Sequence, residues 1–146
     1  MAVHKLHSND SPEALDIDVP QGPDLTDLGP YGSGVNYIDV RGKDRLSVEI
    51  AVTEQALDGF AIQFKTHHNG SWLTLFNTAT QFQNPDGPLL AVGRTDDPAN
   101  NDLTTIPAGE SGWFLLDVSS ISRVKFQGAS AHVDGSVVSI FAGVSN

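Results

Sequence analysis

Hydrophobic and polar residues alternate along much of the chain, and this alternation is typical of strands with one face on a core. The clearest case is residues 45–53, in which every second position is apolar: Leu46, Val48, Ile50 and Val52. The positions between them are mostly polar or small. The pattern predicts a strand here whose opposite face contacts solvent.

A hairpin is predicted next in the chain. Residues 60–64 repeat the alternation and lead through His67-His68 and Asn69-Gly70 into residues 71–76. Asn-Gly tolerates the positive φ values of a type I′ turn, so the two runs are interpreted as paired strands. More short strands are predicted at residues 36–40, 89–92, 113–118, 123–127 and 137–141, the last two joined near Asp134-Gly135.

These strands, roughly eight in all, predict an all-β fold. Short strands about ten residues apart, separated by Gly, Pro and Asp, are typical of a single antiparallel β-sandwich, either jelly-roll or immunoglobulin-like. Helix is expected only as a turn or so near residues 119–121 or residues 53–57. A parallel α/β fold is disfavoured because no amphipathic helices separate the strands.

The first part of the chain differs from the rest. Residues 1–30 contain four of the eight prolines and a net charge of −5, half of the total of −10. Proline fixes φ and removes a donor, which disfavours a helix or a central strand. We therefore predict an extended, acidic, Pro-rich N-terminal arm at residues 1–34, with one edge strand over residues 15–19, and a β-sandwich body at residues 35–146. A solvated tail is the alternative.

Charge and composition exclude several classes of protein. The 146 residues contain 8 basic and 18 acidic side chains and no cysteine. A net charge of −10 repels phosphate backbones and anionic lipid surfaces, so neither a nucleic-acid partner nor a membrane partner is expected. The sequence contains no run of about 18 apolar residues and no signal-peptide pattern at its start. The lack of cysteine removes thiolate metal sites and thiol catalysis.

The histidines do not predict a metal site, since zinc requires three or four converging ligands. His67 and His68 are adjacent, and on a continuing strand their side chains point in opposite directions. The others are distributed through loops and the arm: His4, His7 and His132. We expect all five to be solvent-exposed loop residues, and no metal or other cofactor is predicted.

Three other groups of residues are of types that can carry chemistry. The loop from Asp96 to Asp102 is rich in oxygen donors that could bind calcium, but it lacks the glycine and terminal glutamate of an EF-hand, and turn building is favoured. Ser33 lacks the surroundings of a nucleophile elbow. Glu49 and Glu54 are assigned to one strand's polar face and the following turn, so no catalytic residue is predicted.

The two tryptophans leave two interpretations open. An exposed Trp on a sandwich could stack on a sugar ring, whereas a buried one would anchor a core or a subunit interface. Trp72 and Trp113 both have apolar neighbours in the sequence, which favours a core or an interface. The sugar-binding interpretation stays open.

Several segments of the body are similar in sequence pattern to one known group of proteins. They are residues 44–52 (DRLSVEIAV), 56–64 (ALDGFAIQF), 69–72 (NGSW), 112–119 (GWFLLDVS), 123–131 (RVKFQGASA) and 134–140 (DGSVVSI). Over residues 36–142 the chain resembles small β-sandwich virion proteins of tailed bacteriophages. The shared order is a hairpin with an Asp-Gly or Asn-Gly turn and a Trp, then the Asp-Val, Arg-Val, Ala-Ser and Gly-Ser-Val runs.

The resemblance implies a non-catalytic structural subunit of a virion, assembled in the host cytoplasm. The expected role is a capsid decoration or cement protein that binds the outer surface of the phage head and stabilises contacts between capsid subunits. A head-fibre, tail or adaptor role stays open. The implied partners are the major capsid protein and sister copies, in a homo-oligomer for which a trimer is favoured. The group brings no catalytic residue and no cofactor.

An extended arm can add a strand to a neighbour's sheet or lie across its surface. Its acidity would complement basic residues on a capsid. The residues expected to bind a partner are Leu15, Asp16, Ile17, Asp18, Val19, Asp24, Asp27 and Tyr31. The alternative function is a carbohydrate-binding or adhesion module that uses an exposed Trp72 or Trp113.

Overall fold

The alternating segments form antiparallel strands in the computed structural model of the protein. The structure describes residues 14–20, 37–53, 55–97, 99–128 and 137–146, with the backbone alone for residues 14–20 and Val137. The strands in chain order are β1 (Ala14–Pro20), β2 (Ile38–Asp39), β3 (Arg45–Val52), β4 (Leu57–Asp58), β5 (Ala61–Lys65), β6 (Leu73–Phe76), β7 (Leu89–Arg94), β8 (Thr105–Ile106), β9 (Ser111–Asp117), β10 (Arg123–Gln127) and β11 (Val137–Ser145). A short helix, α1, spans Ala79–Gln83.

The strands form two main sheets. One has five strands in the order β1-β11-β3-β9-β7, and the other has four in the order β2-β10-β5-β6. Strands β4 and β8 form a small third sheet, and neighbouring strands pair antiparallel throughout. The inner faces of both main sheets contribute to one hydrophobic core. The predicted all-β antiparallel sandwich is thus confirmed.

Burial follows the sequence pattern closely on β3. Its exposed and buried residues alternate from Arg45 to Ile50, and Leu46 and Ile50 are completely buried. At the centre of the core is Phe60, whose ring centroid lies 5.7–6.1 Å from those of three other phenylalanines: Phe82, Phe114 and Phe126. Burying one such side chain contributes roughly 1.5–3 kcal/mol, so this aromatic cluster is a major source of the sandwich's stability.

The predicted hairpin is present, but its turn differs from the expectation. Strands β5 and β6 pair antiparallel. The turn hydrogen bond runs from the Gly70 amide to the His67 carbonyl at 2.8 Å, so His68 and Asn69 are its central residues. Gly70 does not have a positive φ. The type I′ assignment was wrong because the loop, residues 66–72, is longer than the two-residue connection that such a turn requires.

The helix lies elsewhere than predicted. Neither expected segment is helical in its described residues: residues 119–120 form a turn, and residues 55–56 lead irregularly into β4. Helix α1 instead follows Thr78, whose side chain accepts a hydrogen bond from the Gln81 amide at 3.3 Å, while the Gln81 side chain accepts one from the Thr78 amide at 3.1 Å. This capping box satisfies free amides at the helix start, which explains why five residues suffice.

The edge strand predicted within the arm is β1. It pairs with β11 at the edge of the five-stranded sheet, with Leu15 opposite Ala142 and Ile17 opposite Ile140. The two strands predicted to join near Asp134-Gly135 are β10 and β11, which lie in different sheets. Their connection lies outside the described residues. No helix among the described residues is long and apolar enough to span a membrane.

Candidate interaction surfaces

The outward side of the five-stranded sheet carries a row of residues brought together by strand register. Phe141 lies opposite Glu49, Glu49 opposite Trp113, and Trp113 opposite Gly93. Trp113 and Phe141 are each 41% exposed. Leu115, two residues after Trp113 on β9, is half-buried on the same side. We call Trp113, Leu115 and Phe141 the outer apolar face.

Trp113 lies directly against the neighbouring strand. A Cβ atom placed on Gly93 would come within 2.7 Å of the indole Nε1 and within 2.9 Å of Cζ2. Any side chain at Gly93 would therefore collide with the indole, since real Cβ atoms essentially never approach so closely. The glycine lets the indole lie close to β7, and the ring stays exposed to solvent.

Charged residues also lie around the outer apolar face, and Asp16 of β1 is opposite Phe141 in the register row. Glu49 lies between the two aromatic residues in the register row, and Arg45 lies 3.8 Å from Asp117 near the end of the sheet. Both partners of that ion pair are well exposed, and such pairs contribute little to stability. The exposed aromatic residues of this side thus lie in one row with the acidic positions 16 and 49.

The other main sheet carries a different surface. On β10, Arg123 lies opposite Lys65 of β5, and Lys125 lies two residues further on the same side. The Lys65 and Lys125 ammonium groups lie 5.0 and 4.5 Å from the Trp72 ring centroid. The Arg123 guanidinium carbon lies 4.2 Å from the Tyr37 ring centroid. These five residues, Tyr37, Lys65, Trp72, Arg123 and Lys125, form what we call the basic-aromatic face.

An ion pair lies beside the basic-aromatic face. The Arg41 guanidinium contacts the Asp39 carboxylate at 2.6 Å, and Asp39 lies opposite Arg123 in the sheet. Burial alone would raise the pKa of Asp39, but hydrogen bonds from Arg41 and the charges of Arg41 and Arg123 hold it below its usual value. Asp39 therefore stays ionised at neutral pH and is already engaged by Arg41.

His67 and His68 lie in the loop after β5 and not on a continuing strand. Their ring centroids lie 4.3 Å apart, so the two rings are adjacent rather than on opposite sides. Opposite directions were expected only on a continuing strand, and β5 ends at Lys65, before the histidines. Loss of hydration and then the positive charges nearby, among them Arg123, lower the pKa of His68. Both side chains are exposed, as predicted.

The acidic loop after β7 has the turn-building role that the sequence favoured. Arg94 contacts Asp96 at 2.6 Å, and this hydrogen bond lowers the pKa of Asp96. Three side chains each accept a hydrogen bond from the backbone amide two residues ahead, at 2.9–3.1 Å: Asp97, Asn100 and Asp102. Within the described ranges, no three His, Cys, Asp or Glu side chains are grouped to hold a metal ion.

The residues predicted to bind a partner fall into two groups. Residues 15–19 belong to β1 and pair with β11. Asp24, Asp27 and Tyr31 lie outside the described residues, as do Ser33 and Glu54. Of the tryptophans, Trp113 is exposed, whereas Trp72 is half-buried beneath two lysines.

Sequence reasoning missed the basic-aromatic face. A signal was available, because Arg123 and Lys125 occupy alternate positions of a predicted strand and therefore share one side of it. What the sequence did not show was that β5 is the neighbour of β10. That pairing brings Lys65 to Arg123 and places Trp72 beneath the lysines.

Comparison with known proteins gives one structural similarity. No protein-family model matches the sequence, and no curated protein matches it. Among solved structures, the crystal structure of SPBc2 prophage-derived protein YomS is similar over 90% of this chain and 95% of that chain, with a TM-score of 0.44 and 15% sequence identity.

Proposed function

We propose that the protein is a non-catalytic structural component of a phage particle, and specifically a decoration or cement protein on the outer surface of the capsid. The resemblance of residues 36–142 to small virion β-sandwich proteins supports this role. The single observation that carries the proposal is the outer apolar face, whose two exposed aromatic residues suit a protein interface better than permanent contact with water.

Scattered exposed apolar residues are normal on any protein, so the arrangement matters more than the count. Trp113 and Phe141 lie in one cross-strand row, and Gly93 leaves room for the indole against the sheet. Aromatic side chains are enriched at protein interfaces, and a Trp in particular often dominates the binding energy. We assign this face to the contact with the major capsid protein.

The N-terminal arm is assigned the second contact in this proposal. Because β1 belongs to the body's own sheet, we assign contacts with neighbouring subunits to Asp24, Asp27 and Tyr31 rather than to the strand. Acidic side chains there would complement basic residues on a capsid and fix the register of attachment. Sister copies would meet around a three-fold axis, giving a trimer in the virion.

The test uses phage particles purified without this protein. Wild-type protein is mixed with the particles, and the bound fraction is measured by co-sedimentation over a range of protein concentrations. We expect saturable binding that the double variant Trp113→Ser/Phe141→Ser weakens by about thirtyfold or more, since loss of an interface hot spot costs about 2 kcal/mol.

Leu73→Ser is the matched control, because Leu73 is 49% exposed but lies on β6 of the other sheet. We expect its affinity to equal that of the wild type. The proposal is wrong if the wild-type protein does not sediment with the particles. Equal binding by the double variant and the wild type would remove the outer apolar face as the contact.

A sugar-binding role is a second candidate, and it rests on Trp113. Its indole is exposed and lies against Gly93, an arrangement in which a pyranose ring could stack on the solvent side. Titration of the Trp72→Phe variant with a glycan panel tests this, because Trp113 is then the sole tryptophan. A saturable quench and blue shift with one glycan would favour an adhesion module, and an unchanged spectrum would exclude this use of Trp113.

A further inference from the structure

The basic-aromatic face is unusual for an acidic protein. The chain has only eight basic residues against eighteen acidic ones, yet Lys65, Arg123 and Lys125 lie side by side on one sheet. Like charges directly opposite each other on neighbouring strands are destabilising, and Arg123 lies directly opposite Lys65. The fold therefore keeps these cations together against their mutual repulsion.

Among the residues that the structure describes, no carboxylate forms an ion pair with this group, and Asp39, which lies opposite Arg123, is paired with Arg41. The ion pairs within the described ranges join Arg41 to Asp39, Arg45 to Asp117 and Arg94 to Asp96. None of them uses Lys65, Arg123 or Lys125. The buried Nε of Arg123 has no hydrogen-bond partner among the described residues. That buried donor is costly but is not accessible to an external anion, so what this face offers such an anion is the charge of its three cations.

The aromatic rings hold the cations in position. Trp72 lies within 5.0 Å of both lysine ammonium groups, and Tyr37 lies 4.2 Å from the Arg123 guanidinium. Cation–π contacts of this kind contribute about 0.5–1 kcal/mol at exposed sites and limit the motion of long side chains. The rings are thus used as supports for cations, so they are not open platforms on which a sugar ring could stack.

We propose that the basic-aromatic face binds an acidic polypeptide segment of another protein. Several cations held side by side on one sheet suit a ligand with several carboxylates along an extended chain, since charge-assisted hydrogen bonds supply both strength and direction. The aromatic rings lie beneath the cations, so the ammonium and guanidinium groups are the atoms that would contact such a partner. This inference goes beyond the proposed capsid role and does not depend on it.

The test is a fluorescence titration of the Trp113→Phe variant, in which Trp72 is the sole tryptophan. The probe is poly-glutamate of about fifteen residues. We expect a saturable change in Trp72 emission as carboxylates draw the lysines from the ring. Neutralising one lysine, Lys65→Gln or Lys125→Gln, should weaken binding about tenfold, because each removes a charge-assisted hydrogen bond.

Arg45→Gln is the matched control, since it removes one positive charge from the other main sheet; its affinity should equal that of the parent. Circular dichroism of each variant confirms that the fold is intact. The proposal is wrong if poly-glutamate does not bind, or if both lysine variants bind it as the parent does. If a hyaluronan oligosaccharide binds more tightly than poly-glutamate, the proposal is wrong and the ligand is an anionic glycan. A self-association that the lysine variants abolish would replace the external partner by a second copy of this chain.

Discussion

The contact between Gly93 and Trp113 predicts a specific cost for Gly93→Ala. The new methyl carbon would lie 2.7 Å from the indole Nε1, whereas ordinary contact begins at 3.4 Å. The ring must therefore withdraw by 0.7 Å, the difference between these distances. Overpacking costs about 1–3 kcal/mol, and alanine in a strand recovers about 0.5–1 kcal/mol relative to glycine. Because the exposed ring can move outward, we expect the free energy of unfolding to fall by about 1 kcal/mol.

Urea unfolding followed by circular dichroism measures this change, and a double-mutant cycle isolates its cause. In a Trp113→Ser background the same Gly93→Ala change has no ring to displace, so we expect it to raise the free energy of unfolding by about 0.5 kcal/mol. The resulting coupling of about 1.5 kcal/mol is typical of residues in contact. If Gly93→Ala left the stability of the wild-type background unchanged or raised it, the reasoning would be refuted.

Three further predictions concern the rest of the sandwich. Phe60→Ala should lower the free energy of unfolding by about 3–5 kcal/mol in urea unfolding, because it leaves a cavity among buried rings; a loss below 1 kcal/mol would contradict the central place of this ring. Thr78→Ala should lower the free energy of unfolding by about 1 kcal/mol in the same assay, since it removes the hydroxyl that accepts the hydrogen bond from the Gln81 amide. In an NMR titration the Asp96 carboxyl should protonate below its usual pKa of 3.8, because the Arg94 hydrogen bond favours the ionised form. The stability that this ion pair contributes is fully present above the unfolded-state pKa of Asp96 and is lost as the pH falls through its lower folded-state pKa. In the Arg94→Gln variant, the titration midpoint of Asp96 should return to the usual range.

The strands could be predicted from the sequence where one face is buried. On β3 the alternation of Leu46, Val48 and Ile50 with polar residues specifies both the strand and its inward side, because a strand's side-chain period is two. The edge strand β1 was predictable for the same reason, despite the prolines around it. Short elements were less accessible: helix α1 depends on a capping box rather than on a long periodic segment.

The surfaces could be predicted only in part, because they depend on which strands become neighbours. Trp113 was recognised as a candidate contact residue, but its closeness to Gly93 comes from the pairing of β7 with β9. Lys65 and Lys125 are sixty residues apart in the chain, and only the pairing of β5 with β10 brings them over Trp72. Local patterns specify the side of a strand, whereas long-range pairing decides what lies beside it.

The two main sheets give the molecule chemically different sides. Their inner faces share one core, so the outer apolar face and the basic-aromatic face point away from each other across the thickness of the sandwich. Contacts through the first depend on apolar burial, and contacts through the second weaken as ions screen the charges. A molecule attached by its apolar side would thus present its cations outward. Salt would then weaken the binding of a ligand on that outer side more than it weakens the apolar contact beneath.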